Sequence, residues 1–279
     1  MVCKNWIAGA VLAVAAFAPD LVRAQGPADL LLPVPTAPLP AAARFGRASP
    51  GVSSSSPLAF GPSYRDVFAG VGYQAATRFG GGSDGTFSMG FGLGNPTTAA
   101  GVEVVLTSLS TVRSGMFSRT GLSLKVNRIL PGNTAVAAGI EGVKLIGPSD
   151  FQLKNSVYAV ATHVFALRGG DLETPFSSLT LNGGLGNGRY CAEASKVVSS
   201  VTVHYLSDCS LNFFASAGLR ANKYTGLIAD WTGQDLNLGV SLAVVPNFPL
   251  VITPMLADVM GTAGDKVRFT LGAGFGLHF

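Results

Sequence analysis

Residues 267–279 read VRFTLGAGFGLHF, and apolar side chains alternate with polar or small ones throughout this stretch. Successive side chains of a β-strand point to opposite faces, whereas a helix would group its apolar residues three and four positions apart. The stretch therefore predicts a strand with one face in an apolar medium. The same period of two recurs at residues 87–94, 123–127 and 236–244.

The composition agrees with an apolar environment. Only 12% of the residues are charged, about half the usual share for a soluble domain, while Gly makes up 36 of 279 and the mean hydropathy is +0.40. Such a chain is too apolar to be disordered over most of its length. The net charge of +4 is not gathered into Lys/Arg runs, which excludes a nucleic-acid binder. A membrane protein or a very apolar β protein remains.

The N-terminal region predicts export. Residues 1–24 have the pattern of a signal peptide, with Lys4 before an apolar run at 6–17 and a cleavage site after Ala24. The alternative is a permanent anchor, but that run is too short to span a membrane. Residues 25–57 are rich in Pro, Ser and Ala and predict a flexible periplasmic tail, with a plug folded into a pore as the alternative. Residues 58–279 form the predicted barrel domain.

Twelve strands are predicted between residue 65 and the C-terminus, and ten or fourteen remain possible because residues 197–206 could form an extra hairpin. A spanning helix at 238–257 is excluded by Pro246, Pro249 and Pro254. Short turns at 130–133, 221–223 and 246–248 then fall on the periplasmic side. The longer loops at 143–155 and 191–209 fall outside, as in outer-membrane barrels.

A soluble sandwich would also alternate, but its polar face would be richer in charge than the Gly, Ser, Thr and Ala found here. Aromatic residues at predicted strand ends suggest the girdles of a membrane protein. These residues are Phe60, Tyr64, Phe176, Tyr190, Tyr224, Trp231, Phe248 and Phe279. The predicted fold class is therefore all-β, a transmembrane antiparallel β-barrel of about 12 strands in the outer membrane of a Gram-negative bacterium.

The last dozen residues, with Gly274, Leu277 and the terminal Phe279, resemble the C-terminal signal that the outer-membrane barrel assembly machinery recognises. Residues 58–279 as a whole resemble uncharacterised outer-membrane barrels of cyanobacteria and other Gram-negative bacteria. The resembling stretches are GFGLG at 90–94, SVY at 156–158, GNGR at 186–189 and DWTGQDLN at 230–237. The resemblance implies outer-membrane lipid and the assembly machinery as partners and brings no catalytic or binding residues. The oligomeric state does not follow from it.

The sequence offers little chemistry, and neither an enzyme nor a cofactor is predicted. The glycines at 80–85 precede a strand and not a phosphate-binding helix. The histidines are scattered, and none has the Ser two residues on that an outer-membrane phospholipase would show. Asp230 and Asp235 flank a loop and could hold Ca²⁺, but solvated turn carboxylates are the simpler interpretation. Cys191 and Cys209 form the expected pair of an oxidising compartment, as one disulfide or as two free thiols.

The remaining candidates are charged residues whose parity directs them into the lumen. They are Asp66, Glu103, Lys125, Glu141, Arg220, Asp230 and Arg268. Their charges almost balance, so no ion preference follows. Because the rest of the inner face is small and polar, we expect a narrow, passive, porin-like channel for small solutes. The alternatives are a non-conducting envelope scaffold and an accessory to polysaccharide or lipid export.

Overall fold

A computed structural model describes residues 49–77, 82–108, 120–146, 155–170, 174–191, 193–198, 201–206, 209–243, 245, 248–263 and 266–279. Within these residues the chain forms fourteen β-strands and two single-turn 3₁₀ helices, Arg168–Gly170 and Gly188–Tyr190. The strands are β1 (Asp66–Gln74), β2 (Asp84–Gly94), β3 (Gly101–Ser108), β4 (Thr120–Leu130), β5 (Thr134–Ile146), β6 (Ser156–Ala166), β7 (Ser178–Gly186), β8 (Glu193–Val198), β9 (Val201–Leu206), β10 (Asn212–Asn222), β11 (Thr225–Trp231), β12 (Leu236–Ala243), β13 (Leu250–Ala257) and β14 (Arg268–His278). None of the described helices is long and apolar enough to cross a membrane.

Twelve of the strands close into one antiparallel barrel, which confirms the predicted fold class and strand count. The barrel closes where β1 pairs with β14 over nine residue pairs, from Asp66↔His278 to Gln74↔Thr270. β8 and β9 form a separate two-stranded sheet between β7 and β10, so the possible extra hairpin exists but does not join the barrel. Closure leaves none of the twelve barrel strands at an edge, which a sheet in lipid requires.

The outward faces of the barrel strands are apolar. Large apolar side chains on these faces are exposed around the whole circumference, among them Val71, Met89, Phe91, Val126, Val136, Val157, Leu181, Phe213, Leu227, Leu238, Leu256 and Phe269. Soluble proteins rarely expose apolar patches larger than a few hundred Å². The lipid-facing band of a transmembrane β-barrel is apolar in this way.

The two ends of the barrel differ in what they carry. At one end, the terminal end, β1 begins beside the last residues of β14, and the connections β4–β5, β10–β11 and β12–β13 lie at the same end. At the other end, the loop end, lie the connections β5–β6 and β7–β10. The strand order thus gives the predicted alternation of connections. Two connections depart from it: β11–β12 at the loop end is short, with residues 232–235, and β6–β7 at the terminal end is long, with residues 167–177.

Residues 49–57, the end of the expected flexible tail, follow the alternative of a plug folded into the pore. Residues 49–57 are buried with 58–63 inside the barrel, and we call residues 49–63 the inner segment. The low apolar content of this stretch predicted disorder, but its backbone and serine groups find hydrogen-bond partners on the inner wall, as described below. The predicted signal peptide and the tail at residues 25–48 lie outside the described residues.

The predicted aromatic girdle needs a similar correction. Tyr64, Phe176, Phe248 and Phe279 are exposed, as residues at a membrane interface would be. Phe60 and Tyr190, by contrast, are buried inside the barrel. Their position at the end of an apolar run does not distinguish an aromatic that faces the interface from one that turns into the lumen.

We predict that an arginine on the outer face destabilises the barrel in a depth-dependent way. Leu181 lies midway along β7 with 43% of its surface exposed, so Leu181→Arg places a charge at mid-membrane and should cost about 2–4 kcal/mol. Leu211, just before β10 at the loop end, is 57% exposed, and Leu211→Arg should cost about 0–1 kcal/mol. Urea unfolding in lipid vesicles measures both. Equal costs would contradict the assignment of the outer face to lipid.

Candidate functional site

The inner segment crosses the lumen as a loop that enters and leaves at the terminal end. Ser49 is hydrogen-bonded to Arg220, near the terminal end of β10. The Gly51 N–H donates to Ser241 Oγ on β12 at 2.7 Å. The tip of the loop, residues 53–56, lies toward the loop end beside Asp230, at the far end of β11.

The second half of the loop returns along β7 and β6, the strands that follow β10 in the strand order of the barrel. Asn182 Nδ2 of β7 donates to the Pro57 carbonyl at 3.1 Å, and the Ala59 N–H donates to Thr162 Oγ1 of β6 at 2.8 Å. The Ser63 N–H then donates to Asp66 Oδ2 at 2.6 Å, where β1 begins. The inner segment is thereby attached to β10, β12, β7 and β6 and to the start of β1. It occupies the interior that the sequence predicted to be partly open.

The tip of the loop is held by one carboxylate, and we call Asp230 with residues 53–56 the Asp230 clasp. Asp230 Oδ2 accepts hydrogen bonds from the backbone N–H groups of Ser54, Ser55 and Ser56 at 2.9, 2.8 and 3.1 Å. The hydroxyl of Ser53 donates to the same oxygen at 2.8 Å, and the hydroxyl of Ser56 donates to Oδ1. Three successive N–H groups form the kind of backbone nest that binds anions. Asp230 is 0% exposed, so this charge is satisfied by neutral donors of the segment.

A buried ion pair contacts the second half of the loop, which returns to the terminal end. Lys125 Nζ lies 2.8 Å from Glu103 Oε2, on neighbouring strands β4 and β3, and both side chains are almost fully buried. The same ammonium donates to the carbonyls of Leu58 and Phe60 at 3.3 and 3.2 Å. Lys125 therefore joins the wall to the segment, while Glu103 balances its charge.

Glu141 pairs with a cation that the sequence analysis missed. Arg189, in the 3₁₀ turn after β7, forms an ion pair with Glu141, with Nη2 donating to Oε1 at 2.8 Å. Its Nη1 donates to the Ser55 carbonyl at 3.1 Å, so it also binds the tip of the segment. Arg189 lies outside the strands. The alternation of side chains along a strand therefore could not predict that it points into the lumen.

The other predicted lumen residues lie nearer the two ends. Arg268 is buried at the loop end and forms an ion pair with Asp235, 3.1 Å away. At the terminal end, Asp66 Oδ1 is 2.7 Å from His278 Nδ1. Asp230 and Asp235 are buried and are not the solvated turn carboxylates that the sequence favoured, because Asp230 belongs to the clasp and Asp235 pairs with Arg268. No group of three or more metal-ligating side chains occurs among the described residues.

The remaining predicted residues lie at the loop end and on the closing strand. Cys191 and Cys209 form a disulfide with their Cα atoms 5.7 Å apart, which closes the stretch carrying β8 and β9. Gly274 and Leu277 lie on β14 at the closure with β1, and the exposed Phe279 follows them. Recognition of these three residues by the assembly machinery stays a prediction.

One wall of the lumen is apolar where it meets the segment. Ala59 and Phe60 of the segment share a buried cluster with inward-facing residues of β5, β6 and β10 and with the 3₁₀ turn. The members from the wall are Ala135, Ala137, Tyr158, Val160, Val164, Tyr190 and Phe214. The interior thus offers polar partners to the serine tip and an apolar surface to the residues that follow.

No family model and no curated protein matches this chain. Among solved structures it is similar to the toluene transporter TbuX of Ralstonia pickettii, with 13% identity and a TM-score of 0.39 over 80% of this chain and 91% of that chain. It is also similar to the N-terminal β-barrel domain of Pseudomonas aeruginosa OprF, with 12% identity and a TM-score of 0.22 over 77% and 98% of the two chains. Likenesses at this level carry no information about solute or mechanism.

We predict that the Glu103–Lys125 pair behaves as a unit. Glu103→Gln leaves a buried ammonium without its anion and should lower the free energy of unfolding by about 3–5 kcal/mol. The double variant Glu103→Gln/Lys125→Met removes both charges and should recover most of that loss, apart from the hydrogen bonds of Lys125 to the segment. Urea unfolding in lipid vesicles provides the comparison. A single variant as stable as the wild type would show that the pair is not buried as described.

Proposed function

We propose that this chain is an outer-membrane passage for small solutes, closed at rest by its own inner segment. The observation that carries the proposal is the Asp230 clasp, which holds the tip of the segment across the lumen by five hydrogen bonds to one buried carboxylate. The proposal keeps the narrow channel expected from the sequence and adds that residues 49–63 of the same chain close it.

The wall is shaped around the segment. A Cβ added to Gly218 of β10 would lie 2.4 Å from Val52 Cβ, and one added to Gly92 of β2 would lie 2.2 Å from the Ser63 carbonyl oxygen. Side chains at these positions would therefore exclude the segment. A barrel that needed only a solid interior could fill it with larger side chains of its own strands, as small barrels do.

The contacts at the tip are suited to release. Residues 53–56 are four serines held by hydrogen bonds, and water can replace such bonds once it reaches them. Both ends of the segment lie at the terminal end, so it can be withdrawn in that direction without threading past the loops. With the predicted signal peptide, that end faces the periplasm.

A non-conducting scaffold is the second candidate, and the filled lumen itself favours it. In that case the segment is a permanent part of the interior, and weakening the clasp lowers stability without opening a path. Ion conductance separates the two candidates because it reports directly on a continuous aqueous path through the barrel.

We predict that Asp230→Asn opens the channel. The amide keeps the shape of the carboxylate but loses its charge, and hydrogen bonds to a charged group contribute about 1.5–3 kcal/mol each. Loss of even one such bond should raise the open probability at least about tenfold in single-channel recordings in planar bilayers. The wild type should be mostly closed under the same conditions.

The matched control is Asp258→Asn. Asp258 is also 0% exposed and accepts backbone N–H bonds, from Thr262 at 2.9 Å and Ala263 at 3.0 Å, but it orders the connection after β13 and not the inner segment. It should conduct like the wild type. If Asp230→Asn resists SDS at room temperature as a folded barrel does and still never conducts, the scaffold is the correct function.

A further inference from the structure

The apolar cluster inside the barrel is built around aromatic rings of the wall. The rings of Tyr190 and Phe214 stack with centroids 4.5 Å apart and planes inclined by 26°. Tyr158 meets both of them edge-on, with centroid distances of 6.0 and 6.3 Å. These rings come from β6, β10 and the 3₁₀ turn after β7, and Phe60 of the inner segment completes the same cluster with 6% of its surface exposed.

Glycines make the space for each of the three wall rings. A Cβ on Gly184 would lie 2.3 Å from Phe214 Cζ, and one on Gly186 would lie 2.4 Å from Tyr190 Cδ2. A Cβ on Gly139 would lie 2.5 Å from the ring of Tyr158. The rings therefore lie against backbone that carries no side chain, so this part of the wall is apolar over several strands.

Phe60 is the component of this cluster that can leave. The wall rings are fixed on barrel strands and on a turn held by Arg189, whereas Phe60 belongs to the segment whose tip depends on the Asp230 clasp. When the segment moves, an apolar recess opposite polar groups is left in the lumen. Enclosed apolar cavities in proteins bind small apolar molecules such as benzene, and the rings of this recess offer the same apolar contacts on one side.

We propose that the recess occupied by Phe60 is a binding subsite for a planar apolar group of about the size of a benzene ring. This inference rests on the proposed function, because the segment must be displaceable, and it names the solute class as small aromatic compounds. Phe60 is a tethered occupant with which the solute competes. The apparent affinity of the wild type is therefore reduced by the fraction of time for which the recess is vacant.

The test is binding of fluorobenzene, followed by ¹⁹F NMR, to the full chain purified from the membranes of an expressing bacterium and placed in lipid nanodiscs. Empty nanodiscs give the share of the probe that dissolves in lipid. Phe60→Ala vacates the recess and should bind one equivalent saturably, at least about tenfold more tightly than the wild type. The matched control is Phe91→Ala, which removes a ring from the lipid-facing side of β2 and should bind like the wild type.

A third variant separates a subsite from a mere cavity. Asp230→Asn keeps Phe60 and loosens only the clasp, so it should bind fluorobenzene more tightly than the wild type if solute and Phe60 compete. Binding by Phe60→Ala without any gain in Asp230→Asn overturns the proposal, as does a Phe60→Ala variant that resists SDS and binds no more than empty nanodiscs.

The outcome for this subsite is distinguishable from the outcome for the passage. Ion conductance in Asp230→Asn without aromatic binding keeps the passage and removes the solute class. Aromatic binding in Asp230→Asn without ion conductance removes the passage and keeps the subsite, as a ligand site inside a non-conducting scaffold.

Discussion

A closed ring of twelve strands fixes the diameter of this molecule, and most of its other features follow from that constraint. In lipid each strand must pair on both sides, so the ring cannot narrow around a smaller core. The inner faces carry many small residues, which leave a space that the strands do not fill. The fifteen residues of the inner segment occupy this space. Their N–H and hydroxyl groups hydrogen-bond to polar residues of the wall, and Ala59 and Phe60 pack against its apolar residues.

The barrel strands were predictable because the alternation that identifies them lies within each strand's own sequence. Alternation along a strand records which side chains meet lipid, and it is visible at residues 267–279 without any knowledge of the neighbouring strands. The parity of Glu103 and Lys125 follows from the same pattern, and the structure places both side chains in the interior as an ion pair. The inner segment has no such period. Its serines resemble a linker, and their partners are wall residues far away in the sequence, such as Asp230, about 175 residues on.

The same distinction explains which site residues the sequence missed. Arg189 lies in a turn and is turned inward by contacts with Glu141 and Ser55, neither of which is near it in sequence. Tyr190 is an aromatic residue at a predicted strand end, which is typical of a membrane interface. The 3₁₀ turn that contains it directs its ring into the lumen. Residues on strands could be assigned a face from the sequence alone, whereas residues in turns could not.

Two different kinds of contact hold the inner segment inside the barrel: the hydrogen bonds of the Asp230 clasp and the apolar packing of Phe60. The Asp230 clasp uses a charge that is costly to leave unpaired in a buried site, so the segment is held inside the barrel as long as the serine nest is in place. The aromatic recess uses apolar area, which a solute can supply as well as Phe60 can. In the proposed passage, the segment is held by polar contacts at its tip and by an apolar contact at Phe60. A small aromatic solute would compete for the second without contacting the first, which couples its binding to release of the segment.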